Sequence, residues 1–205
     1  NSQEIIDTVF GGYGIVPGCG LVHPKMYGYD PEVNRPWEQD IEQARALLAE
    51  AGYANGFRLP GVTYQGSTYE HIGEVLQVQL SQIGVQLEMQ YPERAAMTEM
   101  RAAPGNGIAI VGWLSYPDPA YWLNMHHSAQ NPPNGVNYSR YSDADDLIEQ
   151  SRALPNGTEG ETLLRQLQQK ICDDVPTIYL FHQVPFTMLG RNVQGYMSGA
   201  TPSIV

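Results

Sequence analysis

The segment Gly112-Trp113-Leu114-Ser115-Tyr116-Pro117-Asp118-Pro119 sets two large aromatics beside a hydroxyl, a carboxylate and two prolines. Aromatic faces give a ligand rigid apolar walls, and a few directed polar groups fix its orientation. That is the chemistry of gripping rather than of breaking bonds. Gly112, Trp113, Leu114, Ser115, Tyr116 and Asp118 are therefore the candidate contacts. Asn137 and Tyr138 offer an amide and a phenol from a later loop, and Trp122 a further aromatic wall.

Catalysis finds no comparable anchor. A hydrolytic serine sits on a sharp Gly-x-Ser-x-Gly turn, which the chain lacks. Gly11-Gly12-Tyr13-Gly14 follows helix-like sequence instead of preceding it, so it reads as a stop and not as a phosphate cradle. Gly18-Cys19-Gly20 reads as a loop. His126 and His127 are the strongest metal candidates, yet neighbours on a helix point about 100° apart and rarely share an ion. His23, His71 and His182 stand alone and read as structural. Asp143, Asp145 and Asp146 follow Ser142 and suit a helix N-terminus, where they complement the dipole. No cofactor or metal is expected and the chain does not read as an enzyme. The competing reading is a metal- or haem-type carrier, or a small hydrolytic enzyme, using His126 and His127.

Charge narrows the partners. With 11 basic and 22 acidic side chains the net charge is -11, which excludes a nucleic-acid partner and disfavours anionic lipid. Thirteen Tyr against four Phe suit wet, ligand-facing surfaces as well as strand edges. Cys19 and Cys172 either close one long loop in an oxidising compartment or remain buried thiols. No apolar run is long enough to span a bilayer. Asn1 begins directly in helix-like sequence and Val205 ends without a terminating pattern, so both ends read as cut from a longer protein.

The elements that must carry these residues follow from periodicity. A helix over 2–10 places Ile5, Ile6, Val9 and Phe10 on one face, and Gly11 stops it. The stretch 13–38, with Pro17, Pro24, Pro31 and Pro36, reads as an irregular meander. Asp40 caps a helix whose stripe is Ile41, Ala44, Leu47, Leu48 and Ala51. A strand over 57–65, a helix carrying Ile72, Val75, Leu76, Leu80 and Ile83, and an alternating strand over 85–91 form a crossover suited to a parallel pair. A helix over 92–102 leads into Gly107-Ile108-Ala109-Ile110-Val111, read as one doubly buried strand running to Trp113. Further on, Ser142 and Thr158 open two helices, the second lined by Leu163, Leu164, Leu167 and Ile171, and 177–189 reads as strand-rich. The expected fold class is α/β, a mixed sheet flanked by helices.

The pieces together resemble a family. Gly112-Trp113 with Tyr116-Pro117-Asp118-Pro119 is similar to the "GW…DYPDP" stretch of family 5 extracytoplasmic solute-binding proteins, the receptors of oligopeptide- and dipeptide-type ABC importers. Ile5 to Gly14 (IIDTVFGGYG), 40–57 (DIEQARALLAEAGYANGF), 75–85, Asn137 to Asp143 (NYSRYSD) and Val193-Gln194-Gly195-Tyr196 resemble further family stretches in the same order. The resemblance implies one lobe, residues 1–205, of a two-lobed type II periplasmic-binding fold, with Asn1 and Val205 near the crossovers. It implies a peptide or other small polar ligand, the missing first lobe and an ABC permease as partners, and a periplasmic or lipid-anchored extracytoplasmic location. Peptide binders often place an aspartate between the GW pair and the tyrosine. Here Ser115 stands nearest that place, and Ile110 stands where some members carry a base.

Overall fold

The computed structural model describes residues 1–19, 22–24, 26–66, 68–105, 107–114, 119–184, 186–196 and 203–204. The chain divides into two compact units, the first essentially 3–12 with 38–111 and the second 13–37 with 112–205.

In the first unit, α1 (Ser2–Phe10) buries Ile5 and Ile6 and ends where Gly11 turns left-handed at φ 60°. Helix α2 (Ile41–Glu50) starts at Asp40, whose carboxylate accepts the Gln43 amide at 2.8 Å. Both helices arise where the apolar spacing and caps place them. The α2 stripe is nevertheless not core: none of its residues is buried and Leu47 is 57% exposed. Arg45 ties α2 down instead, donating from Nε and Nη2 to the Gln82 carbonyl.

Strands β2 (Phe57–Val62), β3 (Val85–Gln90) and β4 (Ile108–Ala109) form a parallel sheet in the order β3-β2-β4. They are linked by α3 (Thr68–Ser81) and α4 (Arg94–Ala102), which pack on β3 and β2. Ile72 of α3 and Met97 of α4 are fully buried, as are Val62, Val85 and Leu87 on the strands. Pro60 lies in the central strand without harm. The β4 ladder begins only at Gly61, so the amide that proline lacks is not required there. Gly107 makes the entry to β4 possible: a Cβ there would collide with the Pro60 carbonyl.

In the second unit, β1 (Gly14–Ile15), β5 (Trp113–Leu114), β6 (His182–Gln183) and β7 (Ser203–Ile204) form an antiparallel sheet in the order β1-β6-β7-β5. Helices α5 (Pro119–Asn124), α6 (Asp145–Ala153) and α7 (Thr158–Asp174) enclose Leu123, Ile148, Leu164, Leu167 and Ile171. The meander after β1 is held by staples. Cys19 and Cys172 form a disulfide with their Cα atoms 5.1 Å apart, which decides between the two readings of that pair. The Tyr27 hydroxyl donates to the Gly157 carbonyl at 2.8 Å and accepts its amide at 2.7 Å. Gln168 of α7 donates to the Gly28 carbonyl and receives the Asn34 amide.

Several expectations need correcting. The apolar run before Trp113 is not one strand. β4 stops at Ala109, the Ile110 amide closes on the Val62 carbonyl, and Trp113 starts β5 in the other sheet and the other unit. The strands therefore divide into a parallel and an antiparallel sheet. Among the described residues, 177–189 hold only the two-residue β6, and Ile178 is 68% exposed. Helix α6 starts after Ala144 rather than at Ser142, whereas α7 opens at Thr158 as expected, with Gly157 at the cap position.

Candidate functional site

The proposed contacts centre on β5, an edge strand of the second unit's sheet among the described residues. Its partner is β7, with Trp113 opposite Ile204 and Leu114 opposite Ser203. Trp113 is half-buried. With Met26, Met125 and Tyr179 it packs against one apolar cluster. An aromatic fixed by its neighbours and only partly buried suits a ligand wall. Gly112 is also half-buried. Ser115, Tyr116 and Asp118 lie outside the described residues, as do the side chains of Leu114 and Trp122.

Behind the strand stands a polar pair. His126, 4% exposed, meets the Tyr179 hydroxyl through Nε2 at 2.7 Å. Burial holds the His126 imidazole down at about 4 and pushes the Tyr179 phenol up. His126 is thus neutral at ordinary pH and engaged within the fold. Its neighbour His127 accepts the Ala129 amide at Nδ1 (2.9 Å) and faces Glu149 through Nε2 at 3.4 Å. The two histidines serve different partners, and no group of three or more His, Cys, Asp or Glu suited to a metal occurs among the described residues. Asp145, in the first turn of α6 as expected, accepts both the amide and the hydroxyl of Ser128.

Asn137 has a different role from the one its polarity suggested. It is 2% exposed, and Nδ2 donates to the carbonyls of His126, His127 and Tyr141. Its Oδ1 accepts the Ser139 hydroxyl and the Tyr141 amide. Every polar site of the amide is committed to its own loop, so the side chain builds the loop and leaves nothing for a ligand. Tyr138 beside it is half-buried. Tyr141 is anchored in turn: its hydroxyl donates to Asp174, which also takes Lys170 at 2.5 Å. Burial, reinforced by that carboxylate, raises the Tyr141 phenol's pKa, while Lys170 and then Tyr141 lower that of Asp174.

Sequence reasoning missed Met26, Met125 and Tyr179 as the surroundings of Trp113. Met26 and Tyr179 come from irregular segments, where no periodicity marks which side chains turn inward.

The chain is 27% identical over 205 residues to the dipeptide-binding protein of Escherichia coli (strain K12), across 96% of this chain and 38% of that protein. It is 29% identical over 206 residues to the glutathione-binding protein GsiB of Shigella flexneri serotype 5b (strain 8401), across 96% of this chain and 40% of that protein. The chain thus spans about two fifths of the length of these relatives. Among solved structures it is similar to the ABC transporter-associated periplasmic binding protein DppA of Helicobacter pylori in complex with the peptide STSA. That match has a TM-score of 0.77 at 27% identity and covers 88% of this chain and 36% of that one. HbpA2 of Haemophilus parasuis gives a TM-score of 0.78 at 26% identity, over 86% of this chain and 36% of that one. The α/β fold is accordingly that of periplasmic binding proteins. The model of the bacterial extracellular solute-binding proteins, family 5 (middle part), matches residues 1–134, and the chain belongs to that family.

Proposed function

We propose that residues 1–205 form a single ligand-contacting lobe of an ABC-importer receptor that captures peptides or similar small polar solutes and does not transform them. The observation that carries this is Trp113, half-exposed on an edge strand in a chain of a solute-binding family. The remaining contacts are Gly112, Leu114, Ser115, Tyr116, Asp118 and Tyr138. The absent first lobe supplies the rest of the enclosure, and closure of the two lobes signals to the permease. Such a receptor works in the periplasm or on a lipid anchor outside the cytoplasm. No helix among the described residues is long and apolar enough to cross a membrane.

Relatives named for dipeptides and for glutathione support a peptide-like ligand. Ser115 cannot supply the charge with which a carboxylate would pair a peptide's amino terminus, so that end is held by neutral donors and acceptors or by the other lobe. Intact receptor purified from its source and denatured should release a peptide or other small polar solute, read by mass spectrometry. In that receptor Trp113→Ala should weaken binding of the released solute by ~1–3 kcal/mol in calorimetry. Unchanged affinity would remove Trp113 from the site.

A further inference from the structure

Four asparagines stand directly before a glycine: Asn55, Asn106, Asn134 and Asn156. Such a pair can react with itself, because glycine has no side chain to shield its nitrogen from the asparagine's side-chain carbonyl. By residue type the four are alike. What separates them is whether that nitrogen, the nucleophile, is already bonded.

Asn106 lies outside the described residues. Asn55, Asn134 and Asn156 are all exposed, so access to water does not rank them. Their glycines do. The Gly56 amide donates to the Tyr53 carbonyl at 2.8 Å. The Gly157 amide donates to the Tyr27 hydroxyl at 2.7 Å, and that hydroxyl donates back to the Gly157 carbonyl at 2.8 Å. The Gly135 amide has no acceptor among the described residues. An amide that must first surrender a hydrogen bond gives up its proton less readily.

Packing also explains why a glycine stands at 135. A Cβ there would lie 2.7 Å from both the Cα and the carbonyl oxygen of Gln130. The loop closes around it, with the Asn134 amide donating to the Asn131 carbonyl at 3.0 Å and the Asn137 amide to the Gln130 carbonyl at 2.8 Å. An unshielded, unbonded nitrogen is thus held next to an exposed side-chain amide.

We infer that Asn134 is a site of spontaneous covalent modification, converted by water to aspartate and isoaspartate. Solvent base takes the Gly135 amide proton and the nitrogen attacks Asn134 Cγ. The new C–N bond forms as the Cγ–Nδ2 bond breaks, and ammonia leaves with a proton from water. Water then opens the cyclic imide, and nothing is oxidised or reduced. Attack at the side-chain carbonyl leaves aspartate; attack at the main-chain carbonyl leaves isoaspartate. Isoaspartate lengthens the main chain by one methylene inside the loop that the Asn137–Gln130 bond closes, and either product adds a carboxylate to the loop that carries Tyr138. The site goes beyond the receptor reading and is tested without it.

The test incubates the chain at mildly alkaline pH, with and without urea, and follows its proteolytic peptides by mass spectrometry. In the folded chain the Asn134 peptide should exchange its amide for an acid about tenfold faster than the Asn55 and Asn156 peptides, whose glycine amides are hydrogen-bonded. In urea those bonds are lost and the three rates should converge. Tyr27→Phe removes the acceptor of the Gly157 amide and should speed Asn156 alone. Asn55 or Asn156 converting as fast as Asn134 in the folded chain overturns the assignment. A ranking that survives urea, or an Asn156 rate that Tyr27→Phe leaves unchanged, overturns its structural basis. Neither failure touches Trp113, whose affinity is measured with the released solute.

Discussion

The first unit is built by periodicity and the second by staples. In the first, strand, helix and strand follow one another and close a parallel ladder from Phe57↔Val85 to Val62↔Gln90, with Ile72 and Met97 packed on it. In the second, each strand among the described residues is two residues long, and the irregular segments are fixed by a disulfide, a buried His–Tyr pair and a five-bonded asparagine. A repetitive element spreads its stability over many small contacts, whereas a stapled one concentrates it in a few. The candidate ligand wall lies in the stapled unit.

The largest separation between the units should come from the disulfide. It closes a loop with a sequence separation of 153, so Cys19→Ser with Cys172→Ser should cost about 5 kcal/mol. Native-state hydrogen exchange should show the loss in α7 amides while β2 and β3 keep their protection. Equal loss in both sets would contradict the division.

Acid should act on the same unit. His126 falls from 6.5 in the unfolded chain to about 4 in the fold, so the folded state resists its protonation. Its contribution is complete above pH 6.5 and declines as pH drops from there towards 4, by about 3 kcal/mol in all. His182, held at about 4 by burial and then by His23, adds in the same direction. Urea unfolding across that window should show the decline, and His126→Asn should flatten it. A pH-independent midpoint would exclude both groups.

Asn137→Ala leaves buried carbonyls without donors and should cost about 2 kcal/mol. Thermal denaturation reads that loss, and an unchanged midpoint would return Asn137 to the list of ligand contacts. The smallest effect belongs to the periodic unit. Asp40→Ala removes one cap from α2 and should cost about 1 kcal/mol, seen as faster exchange in that helix alone.

The same contrast divides what could be read from residues. Helices α1, α2, α3 and α7 and the parallel β2–β3 pair were legible because caps and apolar spacing are local signals. The α2 stripe, half-buried at Ile41, Ala44 and Leu48 and exposed at Leu47 and Ala51, shows the limit: periodicity says which side is apolar, not how fully it is covered. The run from Gly107 to Trp113 misled for a related reason, since an unbroken apolar stretch does not reveal where its hydrogen-bonding partner ends.

For the site, residue types alone selected Trp113 and the turn beyond it, and motif order selected the family. Tertiary structure alone committed Asn137 to its loop, joined His126 to Tyr179, and paired Cys19 with Cys172. Sequence reports what a side chain can bond to. Only the packed chain determines which neighbour takes that capacity first, because long-range partners compete with ligand and solvent for the same donors and acceptors.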